Sequence, residues 1–301
     1  MGKWARKRQK NSLKDESYRI LHRMYENGKG RSKKEDKENM VDQKNIIYSS
    51  STLMTYHNEM KKFINFILEN YPEIKRLRYL KNYVNEYIQK LIDNGKSAYT
   101  ISTAKAAIAK TLQLDYSAFI ETPKRERRNI KRSRFCKKSD HISQEKYDFL
   151  SKLTSSTGLR RKELQNITGE ALFFNQKDGS YYLRITKGTK GGRERIARIM
   201  GIDKDETEEI VNLFKEAGKM KLLPKISSVY DNHHFRATYA KRVYNFYARS
   251  INDLSFEDKY IMRKDRAGEV LDKEAIKITS EFLGHSRIDV IAQSYLYHQT
   301  F

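Results

Sequence analysis

Apolar residues recur at helical spacing along most of the chain. From Ser49 onward, Leu53, Tyr56, Met60, Phe63, Ile64, Ile67 and Leu68 fall on one face. That spacing predicts an amphipathic helix, capped by Ser51 or Thr52 and ended near Pro72. Leu80, Tyr83, Val84, Tyr87, Ile88 and Leu91 repeat the pattern and stop at Asn94-Gly95. Ser97 opens a third helix, with Ile101, Ala104, Ile108 and Leu112 facing inward. Residues 47–120 therefore read as a small all-helical domain whose aromatic rings belong to its core.

The second half begins in the same way. Ser143 starts a helix with Tyr147, Phe149, Leu150 and Leu153, ended near Thr157-Gly158, and a short helix follows around 160–166. Residues 181–186 and 195–200 read as two strands joined by a Gly-rich hairpin at 187–192. Beyond them the pattern is helical to the end: one helix from Asp203 or Asp205, one over about 233–250, and one at Lys273–Phe282. The chain is mainly α (α+β), with one small antiparallel sheet in a mostly helical domain at 141–301.

Charge changes the picture. The 301 residues hold 61 Lys and Arg against 38 Asp and Glu, a formal charge of +23. A surplus this large implies a polyanionic partner, nucleic acid above all. Residues 1–140 carry 33 basic and 16 acidic residues, and residues 141–301 carry 28 and 22. The first half is therefore the part expected to grip a phosphate backbone. Nine of the fifteen positions at 124–138 are Lys or Arg, among them Lys124, Arg125, Arg127, Arg128, Lys131, Arg132 and Arg134. This segment, 121–140, reads as a basic linker that lies along a duplex and lets the flanking domains close around it. Residues 1–46 are polar; Tyr18, Ile20, Leu21, Met24 and Tyr25 make one short amphipathic piece. They read as a basic N-terminal arm whose helix folds on DNA or a partner, or as a plain disordered tail.

Several classes drop out. The single cysteine, Cys136, allows neither a disulfide framework nor a CxxC metal site. No stretch reads as a membrane span or a signal peptide, so a cytoplasmic, nucleoid-associated protein without membrane partners is expected.

Four clusters carry candidate chemistry: Thr157-Gly158-Leu159-Arg160-Arg161-Lys162-Glu163-Leu164, then Lys190 in the hairpin, then His233-His234-Phe235-Arg236, then Leu283-Gly284-His285 with Tyr295 ten residues on. Each alone is weak. In this order and spacing they resemble the catalytic domain of the tyrosine recombinases, the phage-integrase family, over residues 141–301. The helical domain resembles that family's SAM-like core-binding domain.

The resemblance implies a site-specific DNA recombinase, an integrase of a bacterial mobile element. It would act through a 3′-phosphotyrosine and a Holliday junction, without metal or cofactor. Arg160 and Arg236 would neutralise the phosphate, since a guanidinium is permanently charged and can hold two oxygens. Arg161 competes for the first role but is expected on the surface or on DNA. Tyr295 would be the nucleophile, with Tyr297 as runner-up. His233 would help deprotonate it, and His285 would donate to a phosphate oxygen or brace the phenol. Lys190, or failing it Lys187, would protonate the 5′ leaving group. Glu163 would support the active-site arginine. Implied partners are double-stranded core sites, a homodimer per site pairing into a tetramer, and accessory DNA-bending or directionality factors.

Two features depart from the family pattern. Arg236 and His285 stand 49 residues apart, and the surplus, roughly 251–271 with Arg263, Lys264 and Arg266, is expected to be an inserted element that contacts DNA or a neighbouring subunit. Only residues 296–301 follow Tyr295, so the helix that relatives dock on the next protomer is expected to be short, built differently or missing. A type IB topoisomerase or resolvase, a DNA-binding regulator without catalysis, and an RNA-binding protein are the alternatives.

Overall fold

Ser12 starts helix α1 (Leu13–Gly28) with a reciprocal cap. Its hydroxyl accepts from the Asp15 amide at 3.2 Å, and the Asp15 carboxylate accepts from the Ser12 amide at 3.4 Å. The computed structural model describes residues 12–126, 140–189, 192–223, 225–227, 229–263 and 266–296. The chain divides into two units, Met1–Lys131 and Arg132–Phe301.

In the first unit, α1, the short α2 (Lys33–Glu38), α3 (Ser50–Asn70), α4 (Val84–Asp93) and α5 (Ala98–Leu112) follow in order. Ser49 and Ser97 cap α3 and α5 through hydroxyls that accept from Thr52 and Thr100 amides. One core gathers Leu21 and Met24 of α1 with Met60, Phe63, Ile64 and Ile67 of α3, Ile88 of α4 and Ile101 and Ile108 of α5. This corrects the reading of residues 1–46 as an arm outside the helical domain. Leu21 is fully buried, because an apolar stripe that short finds its partner in α3. Phe63 and Tyr87 are core rings, 5.0 Å apart.

The second unit opens with α6 (Gln144–Thr157), capped by Ser143, and the single-turn α7 (Arg161–Leu164). Three antiparallel strands follow, β1 (Leu172–Asn175), β2 (Ser180–Ile185) and β3 (Arg195–Arg198), in that spatial order. Helix α8 (Lys204–Ala217) starts at Asp203, and α9 (Asn232–Tyr247) starts at Asp231. The stretch expected to be helical to the end instead contains a two-stranded antiparallel hairpin, β4 (Lys259–Ile261) with β5 (Val270–Asp272). Helix α10 (Lys273–Phe282) follows directly, and a π-helical turn, Ile291–Tyr295, closes the described chain.

One cluster of this unit packs α6 and α8 against the three-stranded sheet through Leu150, Leu153, Leu183, Ala197 and Phe214. Another packs α9, α10, the β4–β5 hairpin and the π-turn around Tyr239, Val243, Met262, Leu271, Ile276 and Ile291. Among the described residues no helix is long and apolar enough to cross a membrane.

Candidate active site

Segments far apart in sequence meet in the second unit. The turn after α6 supplies Gly158 and Arg160, α7 supplies Glu163, β3 supplies Arg195, and α9 supplies Arg236. The chain after α10 supplies His285 and Tyr295.

Backbone carbonyls organise the guanidinium groups. Gly158 has φ +61°, and a Cβ there would stand 2.3 Å from Cδ1 of Tyr239, so only glycine fits the turn. Its carbonyl accepts from Nη1 of Arg236 and from Nη2 of Arg195, the latter at 3.1 Å. The Leu283 carbonyl accepts from Nη2 of Arg160 at 2.8 Å and from Nη2 of Arg236. The two arginines predicted to bind phosphate therefore share one oxygen as a common anchor.

Glu163 collects the remaining donors. Its Oε1 accepts from Nη1 of Arg160 at 2.8 Å, and its Oε2 accepts from the Arg160 amide at 2.7 Å and from Nη2 of Arg195 at 2.7 Å. A glutamate at the third position of a helix is placed to reach back to the residue before it. Here the same carboxylate also fixes two guanidinium groups. Burial pushes the Glu163 carboxyl up, but Arg195, Arg236 and the Arg160 amide outweigh it and hold the value down at about 2. Burial pushes the fully buried Arg236 down to about 10, which leaves it a cation at neutral pH. Three guanidinium cations thus face one carboxylate. The surplus of two positive charges, away from bulk water, suits an anion that gains charge as it reacts.

Tyr295 lies at the end of the π-turn, a helical form that tends to mark functional positions. It is buried, and its Oη accepts from Nε of Arg236 at 3.2 Å. Nε2 of His285 lies 3.3 Å from the same oxygen. Of the predicted residues, Arg160, Glu163, Arg236, His285 and Tyr295 therefore come together. His233 is exposed at the start of α9, one turn before Arg236 and on the same face. Its amide donates to the Asp231 carboxylate that caps the helix, at 3.1 Å.

Lys190 and Tyr297 lie outside the described residues. The hairpin that carries Lys190 springs from the Ile185–Arg195 pair, and its Gly188 lies against the Lys162 carbonyl of α7, 2.5 Å from where a Cβ would stand. Lys187, in the same hairpin, is exposed. Arg161, expected on the surface or on DNA, instead donates from Nη2 to the Tyr230 carbonyl at 2.6 Å and is half-buried. Lys124 and Arg125 are exposed, while Arg127, Arg128, Lys131, Arg132 and Arg134 lie outside the described residues. Beside the site, a cleft of about 590 Å³ is lined by Arg184, Arg193, Arg195, Glu281, Gly284 and His285.

Sequence reading missed Arg195. It sits in the charge run Arg193-Glu194-Arg195, and nothing local sets it apart from its exposed neighbours Arg193 and Glu194. Among the described residues no group of three His, Cys, Asp or Glu side chains is placed to hold a metal ion.

No protein-family model matches the chain, and no curated protein matches it. Three solved structures illustrate the likenesses that do appear. The XerH site-specific recombinase bound to its difH substrate is 14% identical, with a TM-score of 0.46 over 96% of this chain and 95% of that one. The Tn1549 transposon integrase in complex with circular intermediate DNA is 13% identical, with a TM-score of 0.42 over 96% of each chain. The XerA recombinase is 15% identical, with a TM-score of 0.29 over 94% of each chain. At these scores none of them assigns a function to this chain.

Proposed function

We propose that this chain is a tyrosine-type site-specific DNA recombinase, an integrase or transposase of a mobile element, with Tyr295 as its nucleophile. One observation carries the reading: a single tyrosine oxygen lies within hydrogen-bonding distance of both Arg236 and His285, in a site whose arginines outnumber its carboxylate.

In the proposed reaction, Oη of Tyr295 attacks a DNA phosphorus. A P–O bond to tyrosine forms, the bond to the 5′ oxygen breaks, and a 3′-phosphotyrosine and a 5′ hydroxyl result. A phenol becomes an effective nucleophile when a neighbouring base takes its proton. Nε2 of His285, 3.3 Å from Oη, is proposed to take the phenol's hydrogen, the role that the sequence resemblance gave to His233. The phosphorane formed in transit carries two negative charges, matched by the surplus of Arg160, Arg195 and Arg236 over Glu163. Exposed His233, one turn before Arg236 on α9, is proposed to contact the phosphate. Lys190 is proposed to protonate the leaving oxygen, and the basic segment 121–140 to hold the duplex. Strand exchange through a Holliday junction, in a tetramer of two dimers, completes the reading.

The test is covalent capture from a pool of nicked duplexes with a randomised core, in EDTA, by wild type, Tyr295→Phe and Tyr297→Phe. A denaturation-resistant adduct lost only in Tyr295→Phe supports both mechanism and nucleophile. Loss only in Tyr297→Phe keeps the chemistry and moves the site. Binding without any adduct favours a regulator that has lost catalysis, and relaxation of any supercoiled plasmid favours a type IB topoisomerase.

A further inference from the structure

The β4–β5 hairpin lies in the surplus chain between Arg236 and His285, where exposed basic residues were expected to meet DNA or a second subunit. Arg263 does face solvent. Arg266 does not: it is 8% exposed, and its guanidinium turns toward the end of the nucleophile turn. Nη1 of Arg266 donates to the carbonyl of Leu296, the residue after Tyr295, at 3.0 Å. Nε of Arg266 donates to Glu269 at 2.7 Å, and Nη2 bonds the other oxygen of that carboxylate.

The last carbonyls of a helical turn have no partner within the turn. A cation held beside them satisfies one and complements their partial negative charge. Glu269 holds Arg266 in that orientation. A second contact comes from β4, where Tyr260 packs on the cluster that holds Ile291 and Ala292 of the nucleophile turn. Met262, between the two, is buried in the same cluster as Ile291, Ala292 and Leu296. The base of the hairpin is anchored as well: the Asp272 carboxylate accepts from Nε of Arg249 at 2.8 Å and from the Glu274 amide at 2.9 Å, at the start of α10.

Tyrosine has only two soft side-chain torsions, so the position of Oη follows the backbone that carries it. We infer that the β4–β5 hairpin is a brace for the nucleophile turn, and that Arg266 is a positioning residue that aims Tyr295 through the Leu296 carbonyl. The inference rests on the recombinase reading for its catalytic consequence, though not for the brace itself. Arg266 touches no reacting atom. Without it the attacking oxygen would be misplaced, and a small misplacement of a reacting atom slows a reaction far more than the strength of one hydrogen bond would suggest.

The experiment compares wild type, Arg266→Met, Arg266→Lys, Glu269→Ala and, as a control, the exposed Glu170→Gln on a duplex captured from the randomised pool. Adduct formation is followed at saturating duplex, together with the duplex concentration for half-maximal rate, thermal unfolding, and amide hydrogen exchange at 291–296. The expected result for Arg266→Met is a rate lower by roughly ten- to a hundredfold, unchanged half-saturation, and faster exchange confined to 291–296. Arg266→Lys should recover part of the rate, and Glu170→Gln should match wild type. If Arg266→Met does not fold, Glu269→Ala, which frees Arg266 from the exposed carboxylate that orients it, carries the test in the same direction.

A wild-type rate in both Arg266→Met and Glu269→Ala overturns the inference. So does a change in half-saturation with the saturated rate intact, which would make the hairpin a DNA contact. If wild type forms no adduct, the recombinase reading fails, and the exchange measurement still decides the brace: unchanged protection at 291–296 in Arg266→Met removes it.

Discussion

Glu163 and Arg195, 32 residues apart in sequence, meet at 2.7 Å with the carboxylate fully buried and the guanidinium 3% exposed. The pair ties the start of α7 to β3 directly beneath Arg160. Removing one member of a buried pair leaves the other charge uncompensated, which typically costs about 3 kcal/mol or more. Glu163→Gln, which keeps the shape, is expected to lower the melting temperature of the second unit by roughly 10 °C. The exposed Glu170→Gln should leave it unchanged in the same thermal scan.

Acid should loosen the second unit for the same reason. Glu163 is held down at about 2 from the ordinary 4.5, by Arg195, Arg236 and the Arg160 amide against the effect of burial. Asp272 is held at about 2 from 3.8, first by its hydrogen bonds from Arg249 and then by backbone amides of α10. Both folded values lie below the unfolded ones. Their stabilisation is therefore complete above the unfolded values and is lost as pH falls toward 2. Urea midpoints measured from about pH 5 downward should fall through this window. Asp272→Asn should be less stable at neutral pH and less sensitive to acid; an unchanged pH slope would count against the assignment.

Arg236 should not tolerate the conservative exchange. Burial that pushes a guanidinium down to about 10 would push a lysine amine further toward neutrality, and lysine lacks the fork that reaches Tyr295, Gly158 and Leu283 together. Arg236→Lys is expected to bind duplex as wild type does and to form adduct roughly a hundred- to a thousandfold more slowly. Single-turnover capture beside a binding titration separates the two effects. Equal losses in both would make Arg236 a binding residue only.

Much of the fold was legible where one apolar face decides the structure. The helix expected at Lys273–Phe282 is found at those residues, and the strands expected at 181–186 and 195–200 appear as Ser180–Ile185 and Arg195–Arg198. The short strands were not legible. Leu172–Asn175, Lys259–Ile261 and Val270–Asp272 are three or four residues each, too short for an alternation to stand out, and they exist through pairing with neighbours.

The same limit applies at the site. Arg160, Arg236, His285 and Tyr295 stand out through motif order, but Arg195 and Arg266 look like ordinary members of charge runs. Nothing local shows that they turn inward to Glu163 and to Leu296.

Two glycines with nearly the same backbone separate strain from crowding. Gly158 has φ +61° and Gly179 φ +64°, but a Cβ at Gly158 would meet the Tyr239 ring at 2.3 Å, while one at Gly179 would meet nothing within 4 Å. An added Cβ in this left-handed conformation costs about 1 kcal/mol at either position, and overpacking adds about 1–3 kcal/mol where space is lacking. Gly179→Ala should therefore lose only the smaller amount and keep the wild-type rate of adduct formation. Gly158→Ala should lose several times more in a denaturant titration. Because the Gly158 carbonyl anchors both Arg236 and Arg195, the remaining folded protein should also form adduct more slowly. If the two variants prove equally stable and equally active, the close packing of Tyr239 on this turn is not what fixes the arginines.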